Sequence, residues 1–328
     1  MNILFHSSCD DQFRIEYKVI LAMHQGVQDT NEFTSDFNGG SSFNFCFLTK
    51  LCSTNLLIIG SPLVHNLWLM LFCFVFRIQV VYVMWDCYPV RILNKPFGNK
   101  LKILYQYLAE YIGSKIISAS IIPNSDFLDF ALSKKSIIIP FWPDDIRATA
   151  NLHKISGKSS AVKFVFSGQI NKTRGLDQCI EKLNELCSFD FTILIASPSD
   201  CSGLVKKYRC VDFVGHLPPV ELEELYTKAD VALVSLHPAL QTPGFPSKTF
   251  DYVKAGLPIV YFGPEFESYE KIVSSRLGGL ILTKQTMPFD IAELFELHSE
   301  RDLTNFRNDV SFTENSQAAL LGLLRSFM

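Results

Sequence analysis

Apolar residues in this chain occur in short runs that alternate with longer stretches of helical periodicity. Apolar runs bounded by Gly, Pro or polar clusters predict buried strands, and apolar residues spaced three or four apart predict helices. In the first half of the chain the predicted strands are Asn2–Phe5, Phe45–Leu48, Lys115–Ala119 and Ile137–Pro140. The predicted helices are Gln12–Gln25, Lys100–Ile112 and Asp126–Leu132. The polar, Gly- and Ser-rich residues 29–44 predict a loop.

The most apolar stretch, Leu56–Asp86, has two interpretations, a transmembrane span or a buried strand-helix-strand unit. Its longest run without charges or turn signals is Leu63–Phe76. As a helix this run would measure roughly 21 Å, short of the ~30 Å hydrocarbon core of a bilayer. We therefore predict the buried strand-helix-strand unit. A contact with one membrane leaflet remains an alternative, because the stretch is apolar on nearly every side.

The second half of the chain repeats the same alternation. Its predicted strands are Lys163–Ser167, Phe189–Ala196, Val211–Gly215, Val231–Leu236, Pro258–Phe262 and Leu280–Leu282. Its predicted helices are Leu176–Cys187, Glu221–Lys228, Ser247–Lys254 and Glu267–Ser274. Strand-helix alternation in both halves predicts two doubly wound α/β domains with mainly parallel sheets and ligands at the carboxyl ends of the strands.

These elements predict a division of the chain into four parts. Residues 1–145 form an N-terminal domain, and residues 146–160, which lack apolar periodicity, form a linker. Residues 161–310 form a C-terminal domain. A helix at 311–328 is expected to pack back on the N-terminal domain.

Composition and charge exclude several classes of protein. Hydrophobic residues make up 48% and charged residues 19% of the chain, which excludes a disordered polypeptide. The net charge of −3 gives no indication of a nucleic-acid partner. The nine cysteines are an odd number without a Cys-x-x-Cys pair, so free thiols in a reducing, cytoplasmic compartment are expected. The N-terminus lacks the pattern of a signal peptide.

The first candidate site is the loop after the predicted strand Lys163–Ser167. Gly168 and Gly175 enclose Lys172 and Arg174 before the next predicted helix. Glycines let the backbone approach a ligand closely, and free N–H groups with positive side chains hold anions. An ordinary strand-to-helix turn with solvated charges explains the same residues. The loop alone does not distinguish this interpretation from an anion-binding site.

The second candidate site is the segment 242–260. Pro246 and Ser247 are typical of a helix N-terminus, with Pro246 suited to the first turn and Ser247 able to cap the helix. Lys248 and Asp251 then share a helix face. Free N–H groups and Lys248 suit a diphosphate, and the Asp251 carboxylate suits the vicinal hydroxyls of a ribose. A capped helix with a surface carboxylate is the alternative interpretation.

Taken together, these segments resemble the retaining, GT-B-fold glycosyltransferases of family 4, particularly the branch that builds bacterial surface polysaccharides. Residues 167–183 (SGQINKTRGLDQCIEKL), 211–236 (VDFVGHLPPVELEELYTKADVALVSL) and 246–260 (PSKTFDYVKAGLPIV) carry the resemblance. Weaker likeness lies at 85–89 (WDCYP) and 114–127 (SKIISASIIPNSDF). The resemblance implies two Rossmann-like domains facing across a cleft. The N-terminal domain, residues 1–145, is then the acceptor side, and the C-terminal domain, residues 161–310, binds the nucleotide-sugar donor.

The donor-binding residues expected from the loops and the resemblance are Gly168, Gln169, Lys172, Arg174, His216, Pro246, Ser247, Lys248 and Asp251. His216 and His237 each follow the end of a predicted strand and are candidate ligand contacts, although lone histidines are more often loop or packing residues.

The chain departs from the family pattern in the donor half. Asp251 takes the place of the second residue of the family's Glu-x7-Glu pair, and Pro243 takes the place of the first. The family's Arg and Lys of the glycine turn align with Gln169 and Arg174, so one positive charge is missing. Lys172 is the candidate substitute.

The N-terminal half supports no firm catalytic assignment. The histidine that often precedes aspartate in the first-domain loop is Trp85 here, and the usual Gly-rich first turn is absent. Asp86 and His6, which end predicted strands, are the weak catalytic candidates.

The resemblance implies transfer of a sugar from a nucleotide diphosphate sugar to a saccharide acceptor, with a polyprenyl-diphosphate-linked acceptor expected at the inner face of a bacterial membrane. The sequence has no Asp-x-Asp triplet, so no metal or other cofactor is expected. A non-catalytic nucleotide-sugar-binding protein and a GT-B-like sugar-nucleotide epimerase are the alternatives.

A basic cluster in the first domain gives two interpretations. Arg91, Lys95, Lys100 and Lys102 lie beside apolar residues including Phe97 and Leu101. The cluster suits an anionic lipid surface or a diphosphate-linked acceptor. A solvated helix start is the alternative.

Overall fold

The computed structural model describes residues 1–7, 15–30, 33–39, 45–60, 63–93, 95–96, 98–140, 161–310 and 314–328. In its described parts the chain forms two compact units. Unit 1 comprises Met1–Asp145, Thr242–Gly244 and Asn308–Met328, and unit 2 comprises Ile146–Gln241 and Phe245–Arg307. The linker predicted at 146–160 and Phe97 lie outside the described residues.

Unit 1 contains a six-stranded sheet and a short antiparallel pair. Its strands are β1 (Asn2–Ser7), β2 (Thr34–Gly39), β3 (Leu56–Gly60), β4 (Gln79–Val83), β5 (Arg91–Ile92), β6 (Lys95–Pro96), β7 (Ile117–Ile122) and β8 (Ser136–Ile138). The sheet order is β2-β1-β3-β4-β7-β8, with every neighbouring pair parallel, and β5 pairs with β6. The order reverses between β1 and β3, as in a doubly wound sheet.

In the described part of unit 1, four α-helices connect these strands: α1 (Ile15–Gln28), α2 (Phe45–Cys52), α3 (Leu67–Phe76) and α4 (Lys100–Ile116). Strand β3 is buried along its whole length. Leu56 and Ile58 join a core on one face of the sheet, and Leu57 and Ile59 join a second core on the other. Such burial on both faces is why parallel strands read as continuous apolar runs.

The stretch Leu56–Asp86 forms the predicted strand-helix-strand unit, as β3, α3 and β4. A 3₁₀ turn at Leu63–Asn66 leads into α3. Among the described residues, no helix combines the length and the apolar character needed to cross a bilayer.

Three predictions for unit 1 were wrong in detail. Phe45–Leu48 begins α2 instead of forming a strand, because four apolar residues fit either structure and the following residues continue the helix. Residues 34–39, predicted as loop, form β2, which pairs with β1 at the sheet edge. The helix predicted at Asp126–Leu132 is a 3₁₀ helix, Ser125–Phe130.

Helix α4 turns an apolar stripe outward. The exposed apolar side chains of this stripe include Leu101, Leu104 and Leu108. The buried residues of α4 are Gln106, Ala109 and Gly113. A Cβ atom on Gly113 would lie 2.9 Å from the Leu63 Cδ1 atom, so the helix packs closely through its small residues. The inward face of α4 is therefore not its most apolar one.

Unit 2 contains a second parallel six-stranded sheet. Its strands are β9 (Val162–Ser167), β10 (Phe191–Ala196), β11 (Val211–Gly215), β12 (Val231–Ser235), β13 (Ile259–Phe262) and β14 (Leu280–Ile281). The order is β11-β10-β9-β12-β13-β14. The six predicted strands and the prediction of two doubly wound α/β domains are confirmed, because both sheets are parallel and reverse their order at an internal strand.

The described α-helices of unit 2 are α5 (Leu176–Leu186), α6 (Ser202–Lys207), α7 (Pro219–Thr227), α8 (Lys248–Lys254), α9 (Glu267–Lys271) and α10 (Ile291–Ser299). Helix α11 (Leu303–Val310) begins in unit 2, and its last three residues belong to unit 1. The last helix of the chain, α12 (Glu314–Arg325), belongs to unit 1, where it packs against α1. Leu320 and Leu324 of α12 are fully buried in the same core as Ile20 and Met23 of α1.

Candidate functional site

The candidate site in unit 2 lies at the carboxyl ends of β9 and β12, which are neighbours in the sheet. Gly168 follows β9 directly, and its N–H donates to the Ala196 carbonyl at the end of β10 (3.0 Å). Ser235 ends β12. Loops that leave the carboxyl ends of adjacent parallel strands meet at one edge, where α/β sheets bind their ligands.

The basic loop between β9 and α5 is anchored on the end of β12. The Ser235 hydroxyl donates to the Arg174 carbonyl at 2.6 Å, and the His237 N–H donates to the Thr173 carbonyl at 2.8 Å. The Thr173 N–H donates to the Asn171 side chain at 2.9 Å, which starts the 3₁₀ turn Lys172–Arg174. These hydrogen bonds fix the backbone of the turn that carries the cationic residues Lys172 and Arg174.

Gly175 makes this close approach to β12 feasible. Its φ of +56° lies in the left-handed region, and an added Cβ atom would be 2.8 Å from the His237 Cα atom. Only glycine takes this conformation without a steric penalty. The glycine that closes the basic loop is therefore required by packing as well as by the turn.

Beneath the loop, three buried hydroxyl groups form a cluster, which we call the Ser167 cluster and which comprises Ser167, Tyr226 and Tyr252. The Ser167 N–H donates to the Tyr252 hydroxyl at 2.8 Å. The Ser167 Oγ atom lies 2.8 Å from the Tyr226 hydroxyl and 3.1 Å from the Tyr252 hydroxyl. Burial raises the pKa of Tyr252 to about 12 and also raises the pKa of Tyr226. Both phenols therefore stay protonated at neutral pH and tie β9 to α7 and α8.

Helix α8 carries the second set of predicted residues. The Lys248 ammonium lies 2.7 Å from an Asp251 carboxylate oxygen, and both side chains are about 40% exposed. The Asp251 charge raises and the Arg174 charge lowers the pKa of the Tyr252 hydroxyl, both as smaller effects than burial. Arg174 and Asp251 therefore act electrostatically on the same buried hydroxyl.

The structure places the predicted donor residues in two groups. Gly168 directly follows Ser167 of the cluster, and Asp251, paired with Lys248, directly precedes Tyr252; the Arg174 and Asp251 charges both act on the Tyr252 hydroxyl. Gln169 and Lys172 are exposed on the basic loop, and Pro246 is buried at the start of α8, where its carbonyl accepts the Thr249 N–H (3.0 Å). Ser247 is exposed, and its side chain makes no capping hydrogen bond, unlike the capping role expected of it. His216 follows β11 at the sheet edge, two strands away from β9, and is exposed.

The weak catalytic candidates lie in unit 1. His6 is 6% exposed, within β1, where it is paired in register with Ile59 of β3. Asp86 follows β4 and is half-buried, and it forms an isolated antiparallel bridge with Gly244. Trp85 is buried over Gly60, where an added Cβ atom would lie 2.2 Å from its ring. The residue that replaces the family's histidine therefore belongs to the core.

Sequence reasoning missed the residues that support the basic loop. The Ile170 N–H donates to the Ser199 hydroxyl at 3.2 Å, and the Ser199 N–H donates to the Ser197 hydroxyl at 3.0 Å. The feature of the sequence that could have indicated these residues is the polar run Ser-Pro-Ser-Asp, which directly follows an apolar strand. Ser167, Tyr226 and Tyr252 lie within the three segments that carry the family resemblance. Their spacing in the sequence does not indicate that their side chains contact one another.

We expect Tyr252→Phe to lower the free energy of unfolding by about 1–2 kcal/mol, because the buried Ser167 N–H loses its acceptor. Urea denaturation measures this change. Tyr208→Phe is the control, since that hydroxyl bonds to the surface residue Glu181 at 2.8 Å and its loss should cost less. Equal losses for the two variants would contradict a supporting role for the Ser167 cluster.

One known family matches the part of the chain that contains this candidate site. Residues 161–294 match the family described as "Glycosyl transferases group 1". The match contains the basic loop, the Ser167 cluster and α8. No curated protein sequence matches the chain.

Two solved structures share the architecture. The apo form of the lipopolysaccharide outer core galactosyltransferase WaaB is 11% identical, with a TM-score of 0.57 and 98% of each chain covered. The complex of MnaA from S. aureus with UDP is 8% identical, with a TM-score of 0.52, and 99% of this chain and 96% of that chain are covered. At these identities the likeness shows the fold. Residues 161–294 thus match the group 1, or family 4, glycosyltransferases, and the two Rossmann-like domains of this protein have the GT-B fold.

Proposed function

We propose that this protein transfers a sugar from a nucleotide diphosphate sugar to a saccharide acceptor, with retention of configuration and without a metal ion. The observation that carries this proposal is that the family match over residues 161–294 contains the Lys248–Asp251 ion pair and Arg174, whose charge acts on the same Tyr252 hydroxyl as that of Asp251. Two cations and one carboxylate at a strand-end site suit a ligand with both phosphates and hydroxyls.

In this proposal each residue of the donor site has one task. The Arg174 and Lys248 side chains neutralise the diphosphate, which leaves as the sugar is transferred. Asp251 accepts hydrogen bonds from the vicinal hydroxyls of the ribose. Donor binding then opens the Lys248–Asp251 ion pair, at small cost, because pairs this exposed contribute only about 0–1 kcal/mol.

The finer part of the proposal concerns the acceptor and the pathway. We propose a hexose donor and a polyprenyl-diphosphate-linked saccharide acceptor, used in O-antigen or capsule synthesis by a cytoplasmic protein that binds the inner face of the membrane peripherally. The resemblance to the surface-polysaccharide branch and the apolar character of the first domain support this part. The donor sugar and its base are the variables of the first experiment.

The direct test is a panel of nucleotide diphosphate sugars incubated with the full chain and bacterial membranes. Release of nucleoside diphosphate that depends on the membranes supports glycosyl transfer. Binding without turnover across the panel would instead indicate a nucleotide-sugar-binding protein. Interconversion of donors without an acceptor would indicate an epimerase.

A ligand comparison tests the placement of the diphosphate. UDP and UMP are suitable probes, since MnaA, which shares the fold, was solved with UDP. Arg174→Ala and Lys248→Ala should weaken UDP binding more than UMP binding, because each removes a charge from the terminal phosphate. Isothermal calorimetry measures both affinities, with Lys206→Ala on α6, an exposed lysine of the same unit, as the control. Equal losses for UDP and UMP would show that neither side chain meets the terminal phosphate.

A further inference from the structure

Unit 1 exposes an unusually apolar surface on the side of its sheet that α3 and α4 cover. The two helices pack against each other, and both contribute to the same core. We call their outer side the α3–α4 surface. Its most exposed large side chains are 58–76% accessible and include Trp68, Phe74, Phe76, Leu101, Leu104 and Tyr111.

Ordinary packing does not account for this exposure. Leu101, Leu104, Leu108 and Tyr111 follow the three- and four-residue spacing that normally faces a core, yet they point outward while Gln106 is buried. Scattered exposed apolar residues are normal in proteins, whereas a contiguous group marks an interaction site. The outward stripe therefore indicates a partner.

The charges of the α3–α4 surface define the chemistry of that partner. Helix α3 contains no charged residue, and α4 contains Lys100, Lys102 and Lys115 against a single acid, Glu110. The three lysines are exposed, as are Arg77 at the end of α3 and Lys95 in β6. The surface thus combines apolar and aromatic side chains with a cationic border, which favours an anionic partner that also accepts apolar groups.

A second copy of this chain fits the surface less well. In a two-fold dimer the same patch faces itself, so the lysines of one copy would lie opposite those of the other. Like charges brought together in this way oppose association. An anionic bilayer has the opposite charge and accepts both Trp and Tyr at the level of its headgroups.

We propose that the α3–α4 surface binds this protein to an anionic lipid bilayer, with α3 and α4 lying in the interface. Ten residues of α3 span about 15 Å, half of the ~30 Å hydrocarbon core, so the helix lies on the membrane instead of crossing it. The exposed leucines and aromatic rings enter the headgroup boundary, and the lysines contact lipid phosphates. This inference extends the proposed function, in which the acceptor is lipid-linked. Only the biological role of the membrane binding rests on that proposed function.

The test is co-sedimentation of the full chain with two kinds of vesicle, one of phosphatidylcholine alone and one that also contains phosphatidylglycerol. We expect binding to the anionic vesicles at low salt, little binding to the neutral ones, and release by high salt. The double variants Lys100→Glu/Lys102→Glu and Trp68→Ser/Leu104→Ser should each reduce binding about tenfold or more. All four side chains are exposed, so circular dichroism should show an unchanged fold.

The matched control is Lys206→Glu/Lys228→Glu, which reverses two exposed lysines of unit 2 and should leave vesicle binding unchanged. Wild-type binding by either of these two double variants of the α3–α4 surface, or equal binding to neutral vesicles, would overturn the proposal. The proposal would also be overturned if the wild-type protein bound no vesicles but formed a dimer in solution that the Trp68→Ser/Leu104→Ser variant dissociates. Resistance to both salt and alkaline carbonate would overturn the peripheral mode of binding.

These vesicles contain neither donor nor acceptor, which separates the two proposals. Vesicle binding without sugar transfer would support the lipid surface and count against the proposed function. Sugar transfer to a water-soluble acceptor by a protein that ignores anionic vesicles would support the enzyme and overturn the lipid surface.

Discussion

Asp251→Ala should weaken the binding of the nucleoside diphosphate by about 1.5–3 kcal/mol, as expected for lost hydrogen bonds to a charged group. This corresponds to roughly 10- to 150-fold in the dissociation constant. The fold should survive, since Asp251 is about 40% exposed and its partner Lys248 stays solvated. Isothermal calorimetry with UDP measures the affinity, and urea denaturation confirms the fold.

The ion pair gives this experiment an internal control. Asp251→Ala also releases the Lys248 ammonium, which is 2.7 Å from the carboxylate and then free to approach the phosphates. The double variant Lys248→Ala/Asp251→Ala therefore separates the loss of ribose contacts from the gain of a free cation. Glu296→Ala on α10 removes an exposed carboxylate elsewhere in the unit and should leave the affinity unchanged. Unchanged UDP affinity in Asp251→Ala would show that the ribose does not bind there.

Gly175→Ala should lower the free energy of unfolding by about 2–4 kcal/mol and should also reduce donor affinity. A non-glycine residue held at φ +56° costs about 1–3 kcal/mol, and an overpacked contact adds a similar amount. The new methyl group would lie 2.8 Å from the His237 Cα atom, so β12 and the basic loop must move apart. Because the loop is anchored through Ser235 and His237, this movement displaces Arg174.

Gly278→Ala is the matched control for this variant. Gly278 has the same φ of +56°, and an added Cβ atom would lie 1.9 Å from the Leu297 carbonyl oxygen. This variant should lose at least as much stability, but the folded protein should bind UDP with wild-type affinity. A Gly175→Ala protein as stable as wild type, or a similar loss of affinity in Gly278→Ala, would contradict the role assigned to the Gly175 contact.

The strands of unit 2 could be predicted because parallel strands buried on both faces leave a direct trace in the sequence. Val231–Ser235, for instance, is apolar up to its last residue and buried throughout. The edge strand β2 leaves no such trace. Its sequence TSDFNG is polar, and only the pairing with β1 makes it a strand. Helix α2 was missed because four apolar residues do not distinguish a helix from a strand.

The donor site was predictable to the extent that its residues are close in sequence. The spacing of Lys248 and Asp251 predicted that they share a helix face, and the structure pairs them. Their assignment to phosphate and ribose remains a prediction. The contacts of Ser167 with Tyr226 and Tyr252 join residues 59 and 85 positions apart, so they depend on the packing of β9 with α7 and α8.

The sequence by itself determined the alternation of strands and helices, the two α/β domains and the motifs that carry the family resemblance. These features depend on local periodicity and on turn residues, which short segments contain in full. Tertiary structure alone decided which face of α4 points inward, because Gln106, Ala109 and Gly113 permit a close approach that the larger leucines would prevent. It also decided that β12 anchors the basic loop, because hydrogen bonds between distant segments form only when the sheet brings those segments together.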